Sequence, residues 1–150
     1  MKKIKALMVA FVLAGMTVVS CSSDDESGPA PTIEGKWNQV KTVTKIQDGP
    51  SDTQKYTGNE TGCDKDYLEF ATGTVFNDVV FNKNGGGECL ENKTPGTWSK
   101  NDKVLVIEDA GFLSGTYEVV KLSSNDLQIA STLQGGGNSV TTTIYLTKAK

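Results

Sequence analysis

Between Thr32 and Lys150 no stretch of this chain carries a sustained helical period, while turn residues recur along its whole length. Apolar and polar side chains alternate in short runs, the period-2 pattern of a half-buried strand. Between the runs stand Asp48-Gly49-Pro50, Ala71-Thr72-Gly73, Asn82 to Gly87, Asn101-Asp102, Ala110-Gly111, Ser123 to Asp126 and Gly135 to Asn138. Turn signals at roughly 8–12-residue intervals mark an antiparallel meander. Such a meander has two edges to protect, and closing on itself removes both. The predicted fold class is all-β: a small antiparallel up-and-down barrel of about eight strands.

The first strand runs from Glu34 to Ile46, with Trp37, Gln39, Lys41, Val43 and Lys45 on one face. Ser51 to Gly62 is almost devoid of apolar residues and reads as a long loop. Tyr67–Phe70 is a short strand. Thr74 to Asn82 has apolar groups on both faces, which implies burial on both or a bulge that switches them. Separate strands are expected at Cys89 and at Gly96–Ser99, then at Val104–Ile107, Gly115–Leu122, Leu127–Leu133 and Val140–Thr147. In the run at Gly115, Tyr117 and Val119 share one face, and Val120 and Leu122 the other.

The segment before Thr32 is of another kind. Lys2, Lys3 and Lys5 precede an apolar run from Ala6 to Val19 broken only by Thr17. That is the n-region and h-region of a signal peptide, too short for a span of about 20 apolar residues. Val18-Val19-Ser20-Cys21 resembles a bacterial lipobox, so Cys21 is expected to carry the lipid, palmitate included, that anchors the chain in a membrane. Ser22 to Pro31 is small, acidic and rich in Pro and Gly, a flexible tether. It resembles the acidic export signal of surface lipoproteins of Bacteroidetes, and Ser22 after the cysteine resembles outer-membrane sorting. The expected division is 1–20 signal peptide, 21–31 lipidated cysteine and tether, and 32–150 barrel. The expected location is the outer membrane, facing outside or the periplasm.

Charge and cysteines narrow the classes. The chain has no histidine and no arginine, and without the three leader lysines 12 lysines face 18 acidic residues. An acidic surface without arginine argues against nucleic-acid partners, whose phosphates want a basic stripe. Of the three cysteines, Cys21 follows the leader and two lie in the domain. That predicts one modified cysteine and a Cys63–Cys89 disulfide formed in an oxidising compartment.

The order of several short motifs adds a family. Ile33-Glu34-Gly35-Lys36-Trp37, Tyr67-Leu68-Glu69-Phe70 with Gly73, Gly96-Thr97-Trp98-Ser99, Tyr117 to Leu122 with Leu127, and Ile144-Tyr145-Leu146 together resemble the lipocalin-like domain of many Bacteroidetes lipoproteins. The resemblance covers the whole domain. It implies a barrel that holds a small hydrophobic or amphipathic ligand, with Trp37 plugging the closed end and Gly35 letting the chain turn beneath it. Gly96 and Trp98 repeat the motif, and Trp98 either packs or faces the cavity. The arginine that covers the first-strand tryptophan in lipocalins is missing, and Lys148 is the cation near enough to substitute. Candidate lining residues are Tyr67, Phe70, Phe76, Phe81, Tyr117, Ile129, Ile144 and Tyr145. The alternative is a filled barrel whose loops contact protein or glycan.

Chemistry has little to work with. There is no histidine to act as base, no nucleophile-elbow serine, and the carboxylate pairs Glu88/Glu91 and Glu108/Asp109 stand near turns, where charges are solvated. No catalytic residue, cofactor or metal is expected. Asp64-x-Asp66-x-x-Glu69 has hard oxygen ligands but not the spacing of a calcium loop.

Overall fold

The computed structural model describes residues Ala30–Lys150. The expected signal peptide, Cys21 and all but the last two residues of the expected tether lie outside them. The described residues form nine strands: β1 (Gly35–Ile46), β2 (Ser51–Lys55), β3 (Tyr67–Phe70), β4 (Val75–Lys83), β5 (Cys89–Asn101), β6 (Val104–Glu108), β7 (Gly115–Leu122), β8 (Asp126–Gly135) and β9 (Asn138–Lys148). Two 3-10 turns, Thr72–Thr74 and Gly111–Leu113, are the only helical elements among them. Every pairing is antiparallel, and β9 returns to pair with β1 from Trp37↔Lys148 to Ile46↔Val140, which closes the barrel.

Nine strands fill eight barrel positions because β2 and β3 share one. β2 pairs with the later part of β1, Lys41 to Lys45, and β3 with its start, Gly35 to Trp37. The expected loop at Ser51–Gly62 is therefore in part a strand. All five residues of β2 are polar and exposed, so no apolar alternation betrays it. The two expected strands at Cys89 and Gly96 are likewise one continuous β5, with Pro95 inside it. Proline is tolerated there because the β5–β6 pairing begins only at Thr97↔Glu108, leaving the stretch before it an edge on that side.

Two register shifts change which side chains face inward. In β1 the shift lies between Gln39 and Lys41. Trp37 and Gln39 share a face with Leu146, and beyond the shift Thr42, Thr44 and Ile46 continue it. Lys41, Val43 and Lys45, expected on one face with Trp37, therefore lie on the opposite, outer face. In β7 a second shift at Val120 leaves that residue exposed and puts Leu122 on the face of Tyr117 and Val119. A bulge inserts one residue and flips everything after it, so alternation counted through it fails. β4 has no shift: Phe76 is buried on the inner face and Val79 on the outer, while Val75 at its start stays exposed.

The core fills the closed half of the barrel. Trp37, Phe70, Phe76, Leu105, Leu127 and Ile129 are fully buried, with Ile107 and Leu146 nearly so. Burying side chains of this size contributes about 1.5–3 kcal/mol each.

Candidate functional site: a plugged floor, a tied wall and an open mouth

Both tryptophans belong to the floor. Trp37 Nε1 donates to the Ile33 carbonyl at 2.7 Å, satisfying its one polar group. Lys148 lies over the ring with Nζ 4.3 Å from the centroid, and donates to the Glu34 carbonyl. Burial lowers the Lys148 pKa. The ammonium thus occupies the place that the missing arginine leaves open, as a cation over an aromatic face. Gly35 makes room for it: its φ is +116°, and a methyl there would meet Lys148 Nζ at 2.6 Å. Trp98 packs, rather than facing a cavity. Its Nε1 donates to the Ala71 carbonyl at 3.0 Å, and its ring meets Phe70 edge-on at 5.6 Å.

Gly96 has a different reason. It faces inward opposite Phe76. A methyl at Gly96 would overlap the Glu108 carbonyl oxygen and crowd Ala110. The chain leaving β6 uses that gap to fold Ala110 and Leu113 onto the core, and the Tyr117 hydroxyl donates to the Leu113 carbonyl at 2.9 Å.

The wall between β1 and β4 is tied by side chains where β2 and β3 break. Asp66 is 3% exposed. Its carboxylate accepts the Tyr56 hydroxyl at 2.7 Å and the Phe81 N–H at 2.8 Å. Its backbone N–H donates to Asn59 Oδ1 at 2.9 Å, and its carbonyl accepts Asn38 Nδ2 at 2.8 Å. The carboxylate therefore supplies the acceptor that a strand partner would give β4, as buried backbone donors demand. Burial, then the bond to Asp66, raises the Tyr56 pKa and keeps the hydroxyl protonated. The Cys63–Cys89 disulfide joins the same 56–66 loop to the start of β5, with Cα atoms 5.6 Å apart. Two of the three acidic residues of the Asp64-x-Asp66-x-x-Glu69 run are spent on structure, since Glu69 Oε2 likewise accepts from Asn77, at 2.9 Å. No group of three metal-binding side chains occurs among the described residues.

Above the core the inward positions change character. Asp78 and Thr94 continue the line of Phe76 and Gly96, and Thr42, Thr44, Ser131 and Thr142 continue that of Ile144. Burial, and then the charge of Asp66, push the Asp78 carboxyl above its usual range. At the rim the inward line turns apolar again, with Ile46, Leu133 and Val140 paired side by side and Leu90 on β5. Ile46 is 55% exposed, Leu90 49% and Leu133 74%. Phe112, at the tip of the β6–β7 connection, is also exposed. Inward-facing apolar side chains that water still reaches mean that the mouth is open.

The eight aromatic and aliphatic residues expected to line a cavity divide into two groups. Phe70, Phe76, Tyr117, Ile129 and Ile144 are core. Tyr67, Phe81 and Tyr145 face the outer wall: the first two line a cleft there, and Lys41 lies over the Tyr145 ring at 4.5 Å. The rim residues Ile46, Leu90 and Leu133 were not singled out from the sequence. Single leucines and isoleucines flanked by polar residues look like ordinary strand positions until the register is known.

A family model for the lipocalin-like domain matches residues 33–129. Among solved structures, a bovine odorant-binding protein deswapped triple mutant is 19% identical over 77% of this chain and 72% of its own, with a TM-score of 0.39. The bovine lipocalin allergen Bos d 2 is 21% identical, covering 78% and 73%, with a TM-score of 0.40. Lobster apocrustacyanin A1 is 16% identical, covering 77% of this chain and 60% of its own, with a TM-score of 0.44. No curated protein matches.

Proposed function

The chain belongs to the lipocalin-like family, and from that premise we propose that it is a non-enzymatic binding protein that takes a small amphipathic molecule in the open mouth of its barrel. One observation carries this: Ile46, Leu90 and Leu133 face inward by register yet stay about half or more exposed. Exposed apolar surface rimmed by polar groups marks an interaction site. Below the rim, the threonines and Asp78 offer hydrogen bonds to a polar head, and the filled core forms a solid floor. Native mass spectrometry of the full chain with palmitate and with a lysophospholipid tests it. A discrete adduct is expected, lost on denaturation, and weakened about ten-fold by Leu90→Asp or Leu133→Asp without a change in melting temperature. An apo mass under every condition would refute the carrier role.

The same proposal includes lipid anchoring through Cys21 in a bacterial outer membrane. Its support is the leader: a basic start, an apolar run, a small residue before the cysteine and a polar tail after it. Pro31, Thr32 and Ile33 lie against Trp98 and Leu122 at the closed end. The tether therefore joins the barrel at the end opposite the mouth. Cys21→Ala should abolish metabolic labelling by palmitate, and persistent labelling would overturn the anchor. Protease shaving of intact cells distinguishes surface display from a periplasm-facing domain.

A further inference from the structure

The outer wall carries a second concavity, independent of the mouth. Lys36 of β1, Tyr67 of β3, Phe81 of β4, Glu91 of β5, the loop residues Asp64 and Lys65 and the C-terminal residues 147–150 line a cleft of about 680 Å³. Beneath Tyr67, Val79, paired with Tyr67 and Lys93, is fully buried yet stands outside the core cluster. Tyr67 and Phe81 lie with ring centroids 6.3 Å apart and planes tilted by 46°. Lys36 Nζ sits 4.3 Å from the Tyr67 centroid and donates to its hydroxyl at 3.2 Å. Three ties fix the loop that brings Asp64 and Lys65 to this wall: the disulfide to Cys89, the Asp66 bond to Phe81 N–H, and Lys83 Nζ to the Thr61 carbonyl at 2.5 Å. The walls are therefore set before any ligand arrives, which lowers the ordering cost of binding.

The chemistry of the lining selects a ligand class. An apolar molecule would strip water from lysine ammonium groups and from two carboxylates, Asp64 and Glu91, without replacing their hydrogen bonds. A simple anion would find four lysines, Lys36, Lys65, Lys148 and Lys150, but Lys148 is already bonded to the Glu34 carbonyl, Asp64 and Glu91 would repel it, and the aromatic rings would stay unused. A polyhydroxylated ring suits every part. Its C–H face packs on an aromatic ring, and each hydroxyl both donates and accepts, so ammonium and carboxylate are satisfied together. The volume lies within the range of small-molecule sites, about 300–1,000 Å³.

We propose that this outer-wall cleft binds a saccharide, through Tyr67 and Phe81 as the stacking platform and Lys36, Lys65, Asp64 and Glu91 as the hydroxyl partners. It is separate from the mouth and does not rest on the carrier role. The test is amide-resolved NMR of the full chain titrated with oligosaccharides of glucose, mannose, galactose and N-acetylglucosamine. At least one should shift the amides of Lys36, Lys65, Phe81 and Glu91 and leave Leu133 in place. Phe81→Ser and Glu91→Gln should each weaken that binding about ten-fold, and Leu133→Asp should leave it unchanged. Glu91 is exposed, so its variant does not threaten folding. No shift at these amides with sugar on the order of 10 mM would overturn the proposal. So would binding indifferent to both variants, or binding confined to charged polymers or peptides.

Discussion

Replacing Gly96 with alanine should destabilise the barrel far more than its single methyl suggests. Gly96 has no positive φ to defend, so the effect isolates space. The added Cβ would overlap the Glu108 carbonyl oxygen, and would lie 3.0 Å from Ala110 Cβ and 3.2 Å from Ala110 N. Two of those three are backbone atoms, which cannot rotate away. They belong to the segment that folds Ala110 and Leu113 onto the core. Overpacking a filled site costs about 1–3 kcal/mol, and a backbone obstacle puts this variant near the top, about 3 kcal/mol. A folded unit of about 120 residues loses roughly 0.25 kcal/mol per degree near its midpoint, so the melting temperature should fall by about 12 °C. Gly85→Ala is the control: nothing lies within 4 Å of its added Cβ, and its change should stay within about 0.5 kcal/mol. Urea unfolding followed by tryptophan fluorescence reads both. A Gly96→Ala stability within about 0.5 kcal/mol of the parent would refute the close approach of the β6–β7 connection.

Two further outcomes concern the tied wall and a third the inward carboxyl of Asp78. Replacing both Cys63 and Cys89 with alanine releases a loop of 26 residues' separation, and denaturant unfolding should show a loss of about 3.5 kcal/mol on the chain-entropy model; unchanged stability would mean that the loop is held without its disulfide. Asp66→Asn keeps one acceptor for two donors, which should cost about 2 kcal/mol and speed hydrogen exchange at the Phe81 amide; an unaltered exchange rate would exclude the carboxylate as its partner. Asp78 has a raised pKa, so its contribution to stability is fully present below the unfolded carboxyl value of 3.8 and is lost as pH rises through the folded value. Asp78→Asn should therefore stabilise the protein at neutral pH and do so progressively less towards pH 3.8, whereas a pH-independent effect would contradict the shift.

Much of this molecule can be read from residue order alone. Period-2 alternation and turn chemistry are local, so the all-β class and the meander show without any contact map. The Gly35-x-Trp37 and Gly96-x-Trp98 motifs, in that order, point to the barrel family. Cysteine arithmetic pairs Cys63 with Cys89, the two cysteines that remain once Cys21 is set aside. Even Lys148 as the cation over Trp37 follows, because a closed meander must bring its last strand beside its first.

Facing and openness belong to the tertiary structure. The bulges at Val40 and Val120 shift inward and outward by one residue, and no residue type announces them. β2 is invisible to hydrophobic patterning because it pairs by backbone bonds alone and buries nothing. Whether Tyr67 and Phe81 look into the barrel or out onto its wall depends on register with β4 and β5, a partnership between distant segments. Asp66 reads as one more loop carboxylate until the break between β2 and β3 leaves Phe81 N–H without a strand partner. Alternation records that a side chain has a side. Only strand pairing and closure decide which side is inside, and how far up the barrel the core extends.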